Sequence, residues 1–299
     1  MIHFVKYRKI YFAVSGILIL ASIAAIAAYG LKPGIDFTGG SILEMQYTGD
    51  RPSNQDIRNA LSGLDLGSLT IQPTGDKGVI MRMQYIGEDT HNEILQKLGK
   101  DEGKMEEIRF DSIGPTIGKE LRGKTTFVVL LALLLMFFYI VMAFRKAHRL
   151  VRPWQYGLAS LIALFHDILI PLGVFAVLGK FYGVEISIPV ITALLTVLGY
   201  SINNVIVVFD RVRENIFRGG QSFEEVVDRS LNQTLTRQLN TSLTTLFVVI
   251  AIFLFGGETL KYFALALMLG IVSGMFSAFF IAAPLLASWV NRREKTKVR

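Results

Sequence analysis

Few residues of this chain have types and spacing suited to chemistry, and those few sit inside apolar runs. His166 and Asp167 adjoin in L-F-H-D-I-L, Asn203 and Asn204 follow G-Y-S-I, and Arg237 closes L-N-Q-T-L-T-R. A carboxyl, an amide pair and a guanidinium held away from bulk water are materials for ion or proton passage. Hydrolytic and metal chemistry need patterns that do not occur. The four histidines (His3, His91, His148 and His166) are dispersed, and there is neither an H-E-x-x-H helix nor a G-x-S-x-G elbow. Gly114-Pro-Thr-Ile-Gly-Lys119 imitates a phosphate loop but lacks the fourth residue between its glycines and the hydroxyl residue after the lysine. The Mg²⁺ ligand of such a loop is therefore missing. With no cysteine, there is no disulfide and no thiolate site. The chain is expected to be no enzyme and to need no cofactor or metal.

The elements that position these residues are membrane spans. The chain has 299 residues, 52% of them hydrophobic, and a mean hydropathy of +0.45. So much apolar surface beside polar stretches implies lipid as the solvent for most of it. Apolar runs at Ile10–Tyr29, Thr126–Phe144, Trp154–Leu178, Ile186–Phe209, Ser242–Phe255 and Tyr262–Val290 predict six transmembrane helices, the last with room to tilt or kink at Pro284. The net charge of +7 is not a nucleic-acid footprint once mapped. Lys6, Arg8 and Lys9 precede the first run, Arg145, Lys146, Arg149 and Arg152 lie between the second and third, Arg211 to Arg237 between the fourth and fifth, and Arg292 to Arg299 follow the last. The alternate short loops hold only Lys180 and Lys261. By the positive-inside rule both termini are cytoplasmic, with cytoplasmic loop 210–238 and a basic tail over 291–299. Residues 1–30 are expected to form the cytoplasmic N-terminus and an uncleaved first span, a cleaved signal peptide being the rival.

Thr192, Thr196, Gly199 and Asn203 recur at helical spacing and share a face, which Tyr200 and Asn204 widen. Ordinary helix packing is the competing account of such small and amide residues. The fifth span is apolar only over its second half. Its first half, N-Q-T-L-T-R-Q-L-N-T-S-L-T-T with Thr241, is too polar for lipid, so it should line a wet cavity or another subunit with Arg237 as its fixed charge. Counted at 1.5 Å per residue, Arg237 lies roughly 28 Å from Gly256, near the cytoplasmic boundary, and Asn204 roughly 25–27 Å from Ile186 on its own helix, so the two can share a layer. Asp167 lies roughly 18 Å from the start of the third span. It is either a proton site or a structural acid bonded to a neighbouring Tyr or Ser.

Residues 31–124 are expected to form a separate, water-soluble domain, placed on the extracytoplasmic side by the same charge alternation, with 12 Lys/Arg against 15 Asp/Glu. Alternation predicts strands over Ser41–Tyr47, Ser68–Gln72, Val79–Tyr85 and Met105–Phe110, and helical spacing predicts helices over Pro52–Leu64 and Glu88–Leu98. The order β-α-β-β-α-β is ferredoxin-like. Residues 125–290 then carry the remaining five spans.

G-I-D-F-T-G-G at Gly34–Gly40, G-P-T-I-G-K-E-L at Gly114–Leu121, G-Y-S-I-N-N-V-I-V-V-F-D-R-V-R-E-N at Gly199–Asn215, the intramembrane His-Asp pair, L-N-Q-T-L-T-R at Leu231–Arg237 and F-G-G at Phe255–Gly257 together resemble the SecF family. The resemblance covers nearly the whole chain, in order. It implies a six-helix half of an RND-superfamily-like transporter in the bacterial cytoplasmic (inner) membrane, with SecD as its pseudo-symmetric other half. It also implies work beside the SecYEG translocon, YajC and the SecA motor on an emerging preprotein, driven by a proton or sodium gradient. Gly34, Asp36, Gly39, Gly40, Asp210 and Arg211 carry the family motifs. In the family, an Asp follows the first Asn of G-Y-S-x-N and takes part in proton passage with the arginine matching Arg237. Here that position is Asn204, and an amide does not titrate. Either coupling rests on acids of SecD, with Asp167 a second local candidate, or the chain is a non-coupling variant, natural or engineered. The alternative functions are an RND-like half-transporter for lipid or a small molecule, and a structural subunit that stabilises SecD or SecYEG.

Overall fold

The computed structural model describes all residues except 101, 146–150, 219–221, 298 and 299, and for 218, 258, 259 and 292–297 it describes the backbone alone. Lys146, His148, Arg149 and Arg299 thus lie outside the described residues, as do the side chains of Arg218, Arg292, Arg293, Lys295 and Lys297. The chain divides into two compact units, residues 33–127 and the remainder.

Unit 33–127 begins with a single helical turn, α2 (Ile35–Thr38), which follows the first long helix, α1 (Arg8–Tyr29). Then come β1 (Gly40–Tyr47), α3 (Asn54–Ala60), β2 (Thr70–Thr74), β3 (Gly78–Met83), α4 (Glu88–Lys97) and β4 (Met105–Ile113). The sheet is antiparallel with order β2-β3-β1-β4, the ferredoxin-like arrangement predicted. Alternate residues of the central strands, Leu43, Met45, Val79 and Met81, are buried against Ile57 of α3, Leu61 just after it, and Ile94 and Leu95 of α4. Helix α3 is shorter than its apolar spacing predicts. It starts only after Ser53, whose hydroxyl and Asp56 form a reciprocal capping box, and it ends at Leu61, with Leu64 already in the following turn.

The other unit holds the spans. Among the described residues, six helices are long and apolar enough to cross a bilayer: Val5–Tyr29, Pro115–Ala143, Pro153–Tyr182, Ile188–Phe217, Phe223–Phe255 and Leu260–Asn291. The last five belong to α5 (Pro115–Ala143), α6 (Pro153–Tyr182), α7 (Ile188–Arg218), α8 (Phe223–Phe255), and α9 (Glu258–Ser277) continued by α10 (Ala283–Lys297). Most run past the apolar segments read from hydropathy. α8 starts nineteen residues before Ser242, because a helix satisfies its backbone internally whether or not lipid surrounds it. The final span bends its hydrogen-bonding instead of breaking. A π-helical turn over Ala278–Ala282 precedes Pro284, where the missing N–H and the ring would otherwise disturb an α-helical ladder.

Small residues bring the helices together, as expected where apolar contact alone gives no preference over lipid. The buried residues of α1 are Ser15 and Ser22, and a Cβ on Gly173 of α6 would lie 2.5 Å from the Ser22 Cβ. On α9, Gly270 abuts Val197 of α7 and Gly274 abuts Ser201. Outward faces of α1 and α5 carry Ile17, Leu20, Leu130, Leu135 and Met142, all exposed and suited to lipid.

The N-terminal residues fold back on the bundle. Phe4 and Val5 are buried, Val5 N–H donates to Asp228 Oδ1 at 2.8 Å, and Ile2 exchanges two hydrogen bonds with the Asn232 side chain. Arg8 pairs with Glu224, which also accepts from Asn291. This clasp ties the chain start to the first turns of α8 and to α10.

Candidate functional site

Asp167, wholly buried on α6, is the centre of a polar knot. Its Oδ1 accepts from Ser273 Oγ at 3.0 Å and lies 2.9 Å from His166 Nδ1, while Oδ2 accepts from Ser277 Oγ at 2.7 Å and from Ser201 Oγ. Ser273 and Ser277 are one turn apart on α9, and Ser201 belongs to α7, so one carboxyl joins three helices. The glycines at 270 and 274 permit this, because they let α9 approach α7 closely enough for both helices to reach α6. Of the two readings of Asp167, the structure supplies the serine partners that the structural one requires.

The second region lies on α7 and α8. Asn204 is 3% exposed, and its backbone carbonyl accepts from Gln238 Nε2 at 2.7 Å. The Asn204 amide nitrogen and the Gln238 amide oxygen are buried without a hydrogen-bond partner among the described residues. Tyr200 donates to Ser242 at 3.2 Å one turn further along both helices. It is therefore Gln238, not Arg237, that faces Asn204. Arg237, the next residue round α8, is exposed. The Gln238 bond still sets the depth: Arg237 and Asn203, the immediate neighbours of the bonded pair, stand at one level. Thr192, Thr196, Gly199 and Asn203 are all exposed on α7, and Arg237, Asn240, Thr241 and Thr244 on α8. The threonines satisfy their hydroxyls on carbonyls one turn back, as Thr192 does on Ile188 and Thr241 on Arg237, at 2.9 Å each. Asn203 and Arg237 have no such internal outlet among the described residues. Two helices thus present a polar stripe at span depth on the chain's own surface.

The remaining motif residues build structure. Gly39, at φ 75° and ψ 163°, occupies a region open essentially to glycine alone. A Cβ there would sit 2.7 Å from Pro115 Cα, and one on Gly118 would sit 2.7 Å from Gly39 N. The G-I-D-F-T-G-G and G-P-T-I-G-K-E-L segments therefore pack backbone to backbone. Gly34 precedes α2, accepting from Thr38 Oγ1 at 3.1 Å, Asp36 lies in its first turn, and Gly40 opens β1. Asp210 pairs with Arg213 at 2.7 Å, while Arg211 holds Glu214 and donates to Gln233 Oε1 at 2.6 Å. Asn215 donates to Ser230 and Gln233, both at 2.9 Å. The D-R-V-R-E-N run thus fastens α7 to α8. In the sheet unit, His91 is buried, stacked on Phe110 at 3.8 Å and 3.1 Å from Glu107 Oε1, which is a packing role.

Residues 92–292 match the family model described as protein export membrane protein SecD/SecF, C-terminal, and residues 24–50 match the SecD/SecF GG motif. The protein translocase subunit SecF of Thermobaculum terrenum is 41% identical over 306 residues, 98% of this chain and 95% of the relative. The chain belongs to the SecD/SecF family. The SecF of Vibrio alginolyticus, at 38% identity, covers 95% of this chain and 88% of its own length. The crystal structure of SecDF, a translocon-associated membrane protein from Thermus thermophilus, superposes with a TM-score of 0.84 at 33% identity. That match covers 97% of this chain but 39% of the SecDF chain. SecDF in its super-membrane-facing form gives a TM-score of 0.70 at 32% identity, covering 99% and 40%. The chain thus spans about two fifths of the solved SecDF chains. In SecD/SecF terms, the GG motif is the Gly39–Gly40 corner described above.

The Asp167 knot and the Asn203–Arg237 stripe were both marked by polar residues in apolar text. Ser201, Ser273, Ser277 and Gln238 were not, because serine is common in spans and nothing in spacing tells a knot partner from a packing residue.

Proposed function

We propose that this chain is the SecF-type subunit of the bacterial Sec translocase. It acts with SecD, beside SecYEG and with SecA and YajC as further partners, on late steps of preprotein export across the inner membrane. Both termini lie in the cytoplasm, by the charge alternation of the loops. The energy source is the proton or sodium gradient, and no bound cofactor takes part.

The observation that carries this reading is the exposed polar stripe of α7 and α8. Asn203, Arg237 and the threonines lie along the spans, Arg237 near the cytoplasmic boundary and the threonines deeper, where a row of polar side chains facing lipid is unfavourable. Another protein must cover them, and the family supplies one of matching architecture in SecD. A gradient-driven ion that passes along this seam meets Arg237 as a fixed charge. A proton falling through roughly 180 mV yields about 4 kcal/mol, enough to shift a two-state equilibrium about a thousandfold. Such a shift suffices to rock an outer domain between two orientations and keep an emerging chain from sliding back.

The second reading, a non-coupling subunit that stabilises SecD, draws on Asn204 alone, the amide at the family's acidic position. The two separate in membrane vesicles stripped of endogenous SecD and SecF and resupplied with SecD, with or without this chain. The proposal expects preprotein export to rise on adding the chain and that rise to vanish with an uncoupler. A rise that survives the uncoupler supports the structural reading, and no rise contradicts both.

A further inference from the structure

Between the start of α1 and α10, at the end of the bundle where the N-terminal clasp closes, lies a groove of about 470 Å³. Its lining includes Arg8, Lys9, Phe12, Leu285, Trp289 and Asn291. Charge and apolar surface are graded along it. Arg8, Lys9 and Asn291 form the polar end, and Phe12 and Leu285, one turn from Lys9 and Trp289 along their helices, form the apolar end. Arg8 is engaged by Glu224, which also takes the Asn291 amide. Lys9 is exposed and has no ion-pair partner among the described residues. Trp289 stands 6.2 Å from Trp154, centroid to centroid. Tryptophans favour the headgroup level of a bilayer, so this pair marks the depth of the groove.

We infer that the groove is a binding site for an anionic phospholipid, its phosphate at Lys9 and the polar edge of Arg8, and one acyl chain along Phe12 and Leu285. A basic pocket between spans at the headgroup level, continuous with an apolar slot, fits a lipid in both its parts. An acidic protein segment would have no use for the apolar end. The site is lined by α1 and α10 alone, holds no residue of the Asn203–Arg237 stripe, and does not depend on gradient coupling.

The protein's only two tryptophans are Trp154 and Trp289, so fluorescence quenching reads this place directly. The full chain is reconstituted in bilayers containing phosphatidylglycerol or phosphatidylcholine with brominated acyl chains. The expected result is a relative binding constant at least about fivefold in favour of phosphatidylglycerol, falling towards one in Lys9→Gln and restored in Lys9→Arg. Lys6→Gln, which removes a neighbouring exposed charge outside the groove, should leave the preference unchanged. Equal binding of the two lipids by the unaltered protein overturns the proposal. So does a preference that persists in Lys9→Gln, or one lost equally in Lys6→Gln, which would mark general surface charge.

Discussion

Truncating Asp167 to alanine would remove the shared partner of three buried serine hydroxyls and His166 Nδ1, leaving Ser277 only its 3.2 Å bond to the Gly274 carbonyl and Ser273 only the 3.3 Å contact with His166. Losing one side of a buried polar cluster costs about 3 kcal/mol, far more than a surface change. Asp167→Ala should therefore lower the thermal midpoint of the detergent-solubilised protein sharply, and Ser277→Ala less so. Because the members act as one unit, the double variant should fall short of the sum by about 0.5 kcal/mol or more. Strict additivity would mean that the serines are bystanders. At the Asn203–Arg237 level the sequence was partly legible. Arg237 and the amides announce themselves in apolar text, and counting along the helices puts them in one layer. It could not say that Gln238 is turned inward and Arg237 outward, since a 100° turn per residue separates them and nothing local fixes which face is buried. Glu107 gives a pH prediction outside the membrane. Burial acts to raise its carboxyl, but the hydrogen bond from Lys100 and the charges of His91 and Lys100 outweigh this and hold it below its ordinary value of 4.5. A depressed folded value means stability present above pH 4.5 and lost as pH falls through that lower value. Melting of Glu107→Gln against the unaltered chain should show a deficit at pH 7 that shrinks in strong acid.

At the scale of elements, glycines decide which helices and segments can meet. Gly270→Leu would drive a side chain into Val197, which is β-branched and cannot swing aside. It should separate α9 from α7, cost about 1–3 kcal/mol, and weaken the Asp167 knot indirectly. Gly39→Ala faces both a forbidden backbone region and the Pro115 backbone, and should cost about as much or more. Thermal midpoints check both, with Gly199→Ala as a control, since a Cβ there meets open space. The six spans and the ferredoxin-like order were legible because period and hydropathy are strong over long segments. Helix ends were not. Hydropathy reports where lipid is tolerated, whereas α8 continues through Gln233, Asp228 and Glu225 under its Ser222 capping box. The clasp of residues 2–8 onto Asp228, Asn232 and Glu224 was equally invisible, since it joins segments more than 200 positions apart.

For the whole molecule, the arrangement divides labour between a locked Asp167 cluster in the interior and a polar stripe on the surface. Asp167 is satisfied on every side within the chain, so it has no need of a partner. Asn203 and Arg237 are exposed along the spans with no hydrogen-bond partner among the described residues, and the proposal puts the second half there. Replacing Asn204 by aspartate sets an acid one residue from that seam, and should strengthen the response to the gradient if the position still belongs to the coupling path. The most direct measurement is gradient-stimulated preprotein export by SecD with this chain carrying Arg237→Ala, compared with the unaltered chain at equal expression and equal thermal midpoint. The stimulation should be lost while basal, SecA-driven export stays unchanged. Stimulation that survives without Arg237 would contradict a coupling role for the α7–α8 face and return attention to acids in SecD.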